Sequence, residues 1–280
     1  MKALVDAEYV LAHLDEFQVL EVGSKTAESF QAQEAYAQYL NGHIPNAQYV
    51  DLNLHFCALG TDLHYQHPNQ FQFAKSLVHF QLQPAQNIVI YDRENHIWAT
   101  RLWWVLHAYG FENIYVLSGG FNTWIAKGLT VEQGEVSTKF VPNVDLPQLN
   151  LDERYFASQQ DIENVVSGQL QAQLINVLRP EVFDGSELRY ARRGHIPRSI
   201  NIPFAHFLNE QGEFYSSFEH IASRFGLDLN KNIIIYCGSG ITASGAAFAL
   251  IQSQAHSVKI YDGSMAEWSS NPNLPLQSTI

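Results

Sequence analysis

Apolar residues along this chain gather in short runs rich in Ile, Val and Tyr, with longer stretches of mixed character between them. Phe17, Val19, Leu20 and Val22 form the first run, residues 88–91 the second and 114–117 the third; residues 174–178, 233–236 and 258–261 repeat the series. Runs that are apolar on both alternating faces predict strands buried within a parallel sheet. Residues 102–109 and 243–251 carry apolar and small side chains at helical spacing and predict helices that pack closely on those strands. Strands alternating with helices imply an α/β fold, a parallel sheet with helices on both faces.

The pattern occurs twice. Gly42-His43-Ile44-Pro45 returns as Gly194-His195-Ile196-Pro197. Asn87-Ile88-Val89-Ile90-Tyr91-Asp92 returns as Asn232-Ile233-Ile234-Ile235-Tyr236-Cys237, and Ser118-Gly119-Gly120 with Trp124 returns as Asp262-Gly263-Ser264 with Trp268. The offset of about 144 to 152 residues marks a tandem duplication of one domain. The expected division is an N-terminal domain over 1–132, a linker over 133–150 holding Pro142 and Pro147, and a C-terminal domain over 151–280. His43 and His195 hold the same place in each copy and read as turn-fixing residues.

One substitution between the copies changes the chemistry. Cys237 in the second copy is Asp92 in the first, and Gly238-Ser239-Gly240 is replaced by Arg93-Glu94-Asn95-His96. A cysteine between a strand end and a glycine-rich helix start faces loop amides and the positive end of the helix dipole, so Cys237 is expected as a thiolate nucleophile. A carboxylate cannot serve as a sulfur nucleophile, so the first copy is expected to be inert and Asp92 to be a satisfied polar group.

Composition narrows the partners. Among 280 residues, 46% are hydrophobic and 16% charged, the balance of a folded globular chain. A formal charge of −12 argues against nucleic-acid and anionic-membrane surfaces. No membrane span and no signal peptide is read from the sequence, so a cytoplasmic location is expected. Only Cys57 and Cys237 are present, which argues against a disulfide scaffold, and Cys57 reads as a spectator. Neither metal nor cofactor is expected. Trp103 and Trp104 read as core or interface residues.

The paired Gly-His-Ile-Pro boxes, the strand ending in Cys237, the loop Cys237-Gly238-Ser239-Gly240-Ile241-Thr242-Ala243 and the final Asp262-Gly263-Ser264 with Trp268 together resemble the two-domain rhodanese superfamily of sulfurtransferases. The loop is similar to that of the 3-mercaptopyruvate group, whereas thiosulfate enzymes of the family carry Cys-Arg-Lys-Gly. The resemblance implies a Cys237 persulfide cradled by Gly238, Ser239, Gly240, Ile241 and Thr242, formed from 3-mercaptopyruvate with release of pyruvate. The sulfur then passes to cyanide, a small thiol or thioredoxin. A carboxylate site is implied at Arg189, with Arg179 the nearest substitute for a second arginine where this chain has Val182. An ion pair with Glu181 or Asp184 is the alternative use of Arg179, and Arg192 and Arg193 read as a solvated turn. A serine–histidine–aspartate relay is implied at Ser239 and His67, with His64 as alternative, Asn53 in the aspartate position and Asp51 two residues away.

Competing readings stay open on the donor. Thiosulfate:cyanide transfer is the alternative reaction, and a non-enzymatic interaction or sulfur-carrier module is a third. A phosphatase reading requires an arginine at the sixth residue after the cysteine, and that residue is Ala243.

Overall fold

The computed structural model describes residues 3–24, 30–136, 148–215 and 218–279, with the side chains of 30–33 left out. The chain forms two compact units. The first comprises Met1–Thr61 and His67–Asp152, and the second comprises Glu153–Ile280 with the short segment Asp62–Gln66. Most of the expected linker, residues 137–147, lies outside the described residues.

The first unit contains strands β1 (Leu4–Val5), β2 (Phe17–Gly23), β3 (Gln48–Asp51), β4 (Asn87–Tyr91) and β5 (Ile114–Leu117). Its helices are α1 (Ala7–Ala12), α2 (Phe30–Asn41), α3 (Leu52–His55), α4 (Gln70–Phe80), α5 (Ile97–Ala108) and α6 (Gly120–Ala126). The second contains β6 (Phe156–Ala157), β7 (Gln173–Asn176), β8 (Ser199–Asn201), β9 (Asn232–Tyr236) and β10 (Ser257–Tyr261). Helices α7 (Gln159–Ser167), α8 (Pro180–Asp184), α9 (Glu219–Phe225), α10 (Ile241–Gln252) and α11 (Ser264–Ser270) accompany them.

Both sheets are wholly parallel and share one topology, β1-β5-β4-β2-β3 and β6-β10-β9-β7-β8. The central strands are β4 and β9. Their apolar runs are buried on both faces, from Ile88 to Tyr91 and from Ile233 to Tyr236, which is why the sequence shows continuous runs there and not alternation. Helices α5 and α10 are apolar nearly all round for the same reason: both are buried along most of their length. Trp103 and Trp104 are buried in α5, and the Trp103 indole N–H donates to the Ile114 carbonyl at 3.0 Å.

The duplicated phrases have one structural job. The isoleucine amide of each Gly-His-Ile-Pro box donates to the tyrosine hydroxyl that ends the central strand, Ile44 to Tyr91 and Ile196 to Tyr236, each at 3.1 Å. The preceding histidine exchanges two backbone hydrogen bonds with the end of its own unit, His43 with Glu132 and His195 with Gln277, all at 2.9 Å. The rings are occupied too. Nδ1 of His195 bonds the Phe183 carbonyl at 2.7 Å and its ring stacks on Phe183, while His43 contacts the carbonyls of Ile44 and Gly134. Trp124 and Trp268 are fully buried, each donating its indole N–H to a carbonyl beyond its helix.

Gly194 is the tightest point of this lock. Its φ is +98°, and a Cβ there would sit 2.2 Å from the Gln277 carbonyl oxygen. Gly194→Ala is therefore expected to destabilise the protein by about 2–4 kcal/mol, from left-handed strain and overpacking together. Urea unfolding compared with the wild type checks this; an unchanged midpoint would mean that the His195–Gln277 bridge does not hold the unit together.

Candidate active site

In an open parallel sheet, functional groups collect at the carboxyl ends of the strands where neighbouring connections leave in opposite directions. In the second unit β7 has β8 on one side and β9 on the other, so this place lies at the ends of β7 and β9. Cys237 follows β9 directly. Its side chain is buried, with 2% of the residue exposed. Three hydrogen bonds fix the backbone around it. The Cys237 N–H donates to Ser264 Oγ at 3.1 Å, and the Cys237 and Gly238 carbonyls accept from the amides of Met265 and Ala266 at 3.0 Å. Ser264 is a non-glycine residue at φ +51°, and its hydroxyl in turn donates to the Tyr261 carbonyl at 2.8 Å. Ser264 thus sets the orientation of the nucleophile's own amide, a role the sequence showed only as a serine where the first copy has Gly120.

The loop Gly238-Ser239-Gly240 leads into α10, with Gly240 as N-cap at φ +81°. Among the described residues no acceptor is found for the amides of residues 238–243. Ser239 and Thr242 are half-buried; Gly238, Gly240 and Ile241 are buried.

The first unit shows what such a loop binds. Asp92, 1% exposed, stands where Cys237 stands, and its carboxylate accepts four backbone amides: Glu94 and His96 at 3.1 Å, Trp98 and Ala99 at 3.0 Å. The Phe121 amide bonds the Asp92 carbonyl at 3.0 Å, matching Met265 on Cys237. His96, at φ +71°, is the N-cap of α5, so Trp98 and Ala99 hold the helix positions that Thr242 and Ala243 hold in α10. The loop is one residue longer than its counterpart. The first unit therefore fills its own anion cradle. Its one loop cation, Arg93, is turned to Glu21 at 2.6 Å and lies over the Phe121 ring at 3.8 Å.

Tyr190, after β7, reaches the Cys237 loop. It is the residue that sequence reasoning missed. A Cβ on Gly238 would lie 2.0 Å from Tyr190 Oη, so the phenol rests against the bare Cα of that glycine. Arg189 is exposed, and its guanidinium acts on the neighbouring Tyr190 hydroxyl. Burial first, and then the adjacent Cys237, push the Tyr190 hydroxyl up to about 12, against the opposing pull of Arg189 and Arg179. The hydroxyl thus keeps its proton through the neutral range. The only signal for it in the sequence is its place next to Arg189.

Arg179 caps α8 at its N-terminus and pairs with Glu187 through Nη2 at 2.7 Å to both carboxylate oxygens. The partner is Glu187, not Glu181 or Asp184 as the sequence suggested, because the turn after α8 brings Glu187 back, with its amide on the Glu181 carbonyl at 2.7 Å. Both members are exposed, so the pair is worth at most about 1 kcal/mol.

A second correction concerns Arg192, which is half-buried and not part of a solvated turn, whereas Arg193 is exposed as expected. Arg192 donates to the carbonyls of Trp268, Ser269, Asn271 and Leu274 at 2.6–3.1 Å, closing the end of α11. Arg193 holds the carbonyls of Gly185 and Ser186 at 2.9 and 2.7 Å. Both serve the fold.

Of the relay residues, His67 belongs to the first unit and Ser239 to the second. His67 and Asn53 are half-buried, His64 is exposed, and Asp51 caps α3 by accepting the Leu54 amide at 3.3 Å. Cys57 is buried at 1% exposure.

The rhodanese-like domain family matches residues 7–127 and 167–271, one match per unit. The chain belongs to that family. It is 29% identical to the 3-mercaptopyruvate sulfurtransferase of Escherichia coli K12 over 98% of this chain and 97% of that protein. It is 30% identical to the thiosulfate sulfurtransferase of Gallus gallus over 84% of this chain and 81% of that protein. Among solved structures it is similar to SseA from Escherichia coli, with a TM-score of 0.79 at 29% identity, covering 94% of this chain and 99% of that one. It also shares its fold with the anaerobic ergothioneine biosynthesis enzyme of Chlorobium limicola, with a TM-score of 0.85 at 22% identity over 99% of this chain and 70% of that one. Rhodanese-family chemistry is persulfide-mediated sulfur transfer, and the tandem α/β fold is the family's. Relatives named for two different donors match to a similar degree, so the choice of donor turns on the residues of the site. No helix among the described residues is long and apolar enough to cross a membrane.

Proposed function

We propose that this rhodanese-family chain transfers a sulfur atom from 3-mercaptopyruvate, through a persulfide on Cys237, to a thiol, cyanide or thioredoxin. The observation that carries the reading is the contrast between the two cradles: four amides close on the Asp92 carboxylate in the first unit, while the amides after Cys237 have no acceptor among the described residues. Amides aimed at one point favour negative charge there, and a persulfide carries its charge on the outer sulfur.

The reaction runs in two halves. The Cys237 thiolate attacks the donor sulfur, the carbon–sulfur bond breaks, and its electron pair leaves on the three-carbon fragment as the enolate of pyruvate. The persulfide proton and the enolate then combine in net effect, leaving pyruvate and an anionic persulfide. In the second half an acceptor nucleophile takes the outer sulfur and returns Cys237 as thiolate. Gly238, Ser239, Gly240, Ile241 and Thr242 surround the sulfur, and the helix register adds the Ala243 amide.

The donor choice rests on charge. The loop itself holds no cation to meet a compact dianion such as thiosulfate, whereas Arg189, exposed and next in the chain to the Tyr190 that touches the loop, suits a carboxylate. Arg189→Ala is expected to raise the KM for 3-mercaptopyruvate roughly 10- to 100-fold, the worth of one charge-assisted hydrogen bond. Steady-state kinetics checks it, and an unchanged KM would remove Arg189 from the carboxylate site. A wild-type kcat/KM greater for thiosulfate than for 3-mercaptopyruvate would overturn the donor assignment. Ser239 is assigned as a hydrogen-bond donor to the substrate.

A further inference from the structure

We propose that the Tyr190 hydroxyl hydrogen-bonds the carbonyl oxygen of a 2-oxo sulfur donor and stabilises the enolate that forms as the carbon–sulfur bond breaks. The assignment rests on the 3-mercaptopyruvate reading above and adds to it a residue that selects the donor. The geometry comes first. Tyr190 Oη lies against the Cα of Gly238, the residue next to the nucleophile, so close that any side chain at 238 would displace it. Among the described residues no acceptor takes the Tyr190 hydroxyl proton, while the nearby Arg189 guanidinium acts favourably on the phenol oxygen. A half-buried phenol with an unassigned proton, standing over the loop of a nucleophilic sulfur, is a donor aimed at whatever occupies that loop.

The chemistry of a 2-oxo acid fits the spacing. Its carboxylate and carbonyl are on adjacent carbons, and Arg189 and Tyr190 are adjacent residues whose head groups act on one another electrostatically. With the carboxylate on Arg189, the carbonyl falls to Tyr190 and the sulfur-bearing methylene to Cys237. As the Cys237 sulfur bonds the donor sulfur, the electrons of the breaking carbon–sulfur bond pass into the carbonyl, whose oxygen becomes negative. A hydroxyl that keeps its proton stabilises that oxygen more in the transition state than in the ground state. The effect therefore belongs in kcat, in contrast to the KM effect of Arg189.

The test compares donors on one preparation. An inorganic polysulfide holds transferable sulfur and no oxygen, so Tyr190 has nothing to stabilise on it. The rate at which Cys237 gains one sulfur atom is followed by quenched-flow mass spectrometry for both donors in wild type and Tyr190→Phe. A loss of about 100-fold with 3-mercaptopyruvate, with the polysulfide rate unchanged within about 2-fold, is the expected result. The polysulfide rate also reports that the variant is folded. No loss with 3-mercaptopyruvate, or an equal loss with both donors, overturns the role of Tyr190 while leaving the donor reading intact. A wild type that is loaded by polysulfide but not by 3-mercaptopyruvate overturns the donor reading and this assignment together.

Discussion

Cys237→Ser abolishes sulfur transfer with every donor, lowering kcat/KM by roughly 10³-fold or more, and leaves the fold unchanged. The oxygen is smaller and far less acidic than the thiol, so it neither ionises at neutral pH nor forms a stable sulfur–sulfur bond. The position tolerates the change structurally. Its fixed contacts run through the backbone, from the Cys237 amide to Ser264 Oγ and from the Met265 amide to the Cys237 carbonyl, and none depends on the side chain. Thermal unfolding of the variant is therefore expected within about 1 kcal/mol of wild type. Cys57 cannot take over, because it follows α3 in the first unit and no helix start follows it closely to favour a thiolate. Retention of more than a tenth of the activity in Cys237→Ser would place the nucleophile elsewhere.

Asp92→Ala destabilises the first unit by about 3–5 kcal/mol. The carboxylate accepts four amides at 3.0–3.1 Å in a buried place. Each such bond to a charged acceptor is worth about 1.5–3 kcal/mol. Their sum is offset by the desolvation of the carboxylate, which brings the net loss to the range seen when one partner of a buried charged group is removed. Asp92→Asn keeps one acceptor oxygen and is expected to lose about half as much. Differential scanning calorimetry of both variants separates these outcomes. Equal stability of Asp92→Ala and wild type would mean that the cradle holds its shape without an anion, which would weaken the inference drawn for the loop after Cys237.

The fold was legible because duplication doubled every signal. The apolar runs at 88–91 and 233–236 are continuous since β4 and β9 lie at the centre of parallel sheets. Short edge strands such as β1 and β6, two residues each, left no pattern to read. They are held by backbone pairing to β5 and β10 and need no hydrophobic period. At the site, Cys237 stood out because a cysteine before glycines and a helix start is rare outside chemistry. Tyr190 did not, since its contact with Gly238 is made across the fold and a tyrosine carries no motif. Arg192 shows the converse: charge in a polar stretch suggested solvent, but its guanidinium closes the carbonyl end of α11. Arg179 likewise found its partner through a turn, not through sequence proximity.

Weighing the intact protein after incubation with 3-mercaptopyruvate, followed by peptide mapping, tests the central claim most directly. The account predicts a single added sulfur atom, located on Cys237, that disappears when a thiol acceptor is supplied and never forms if Cys237 is alkylated first. A protein that stays at its original mass, or that gains the sulfur equally after Cys237 has been blocked, would contradict it.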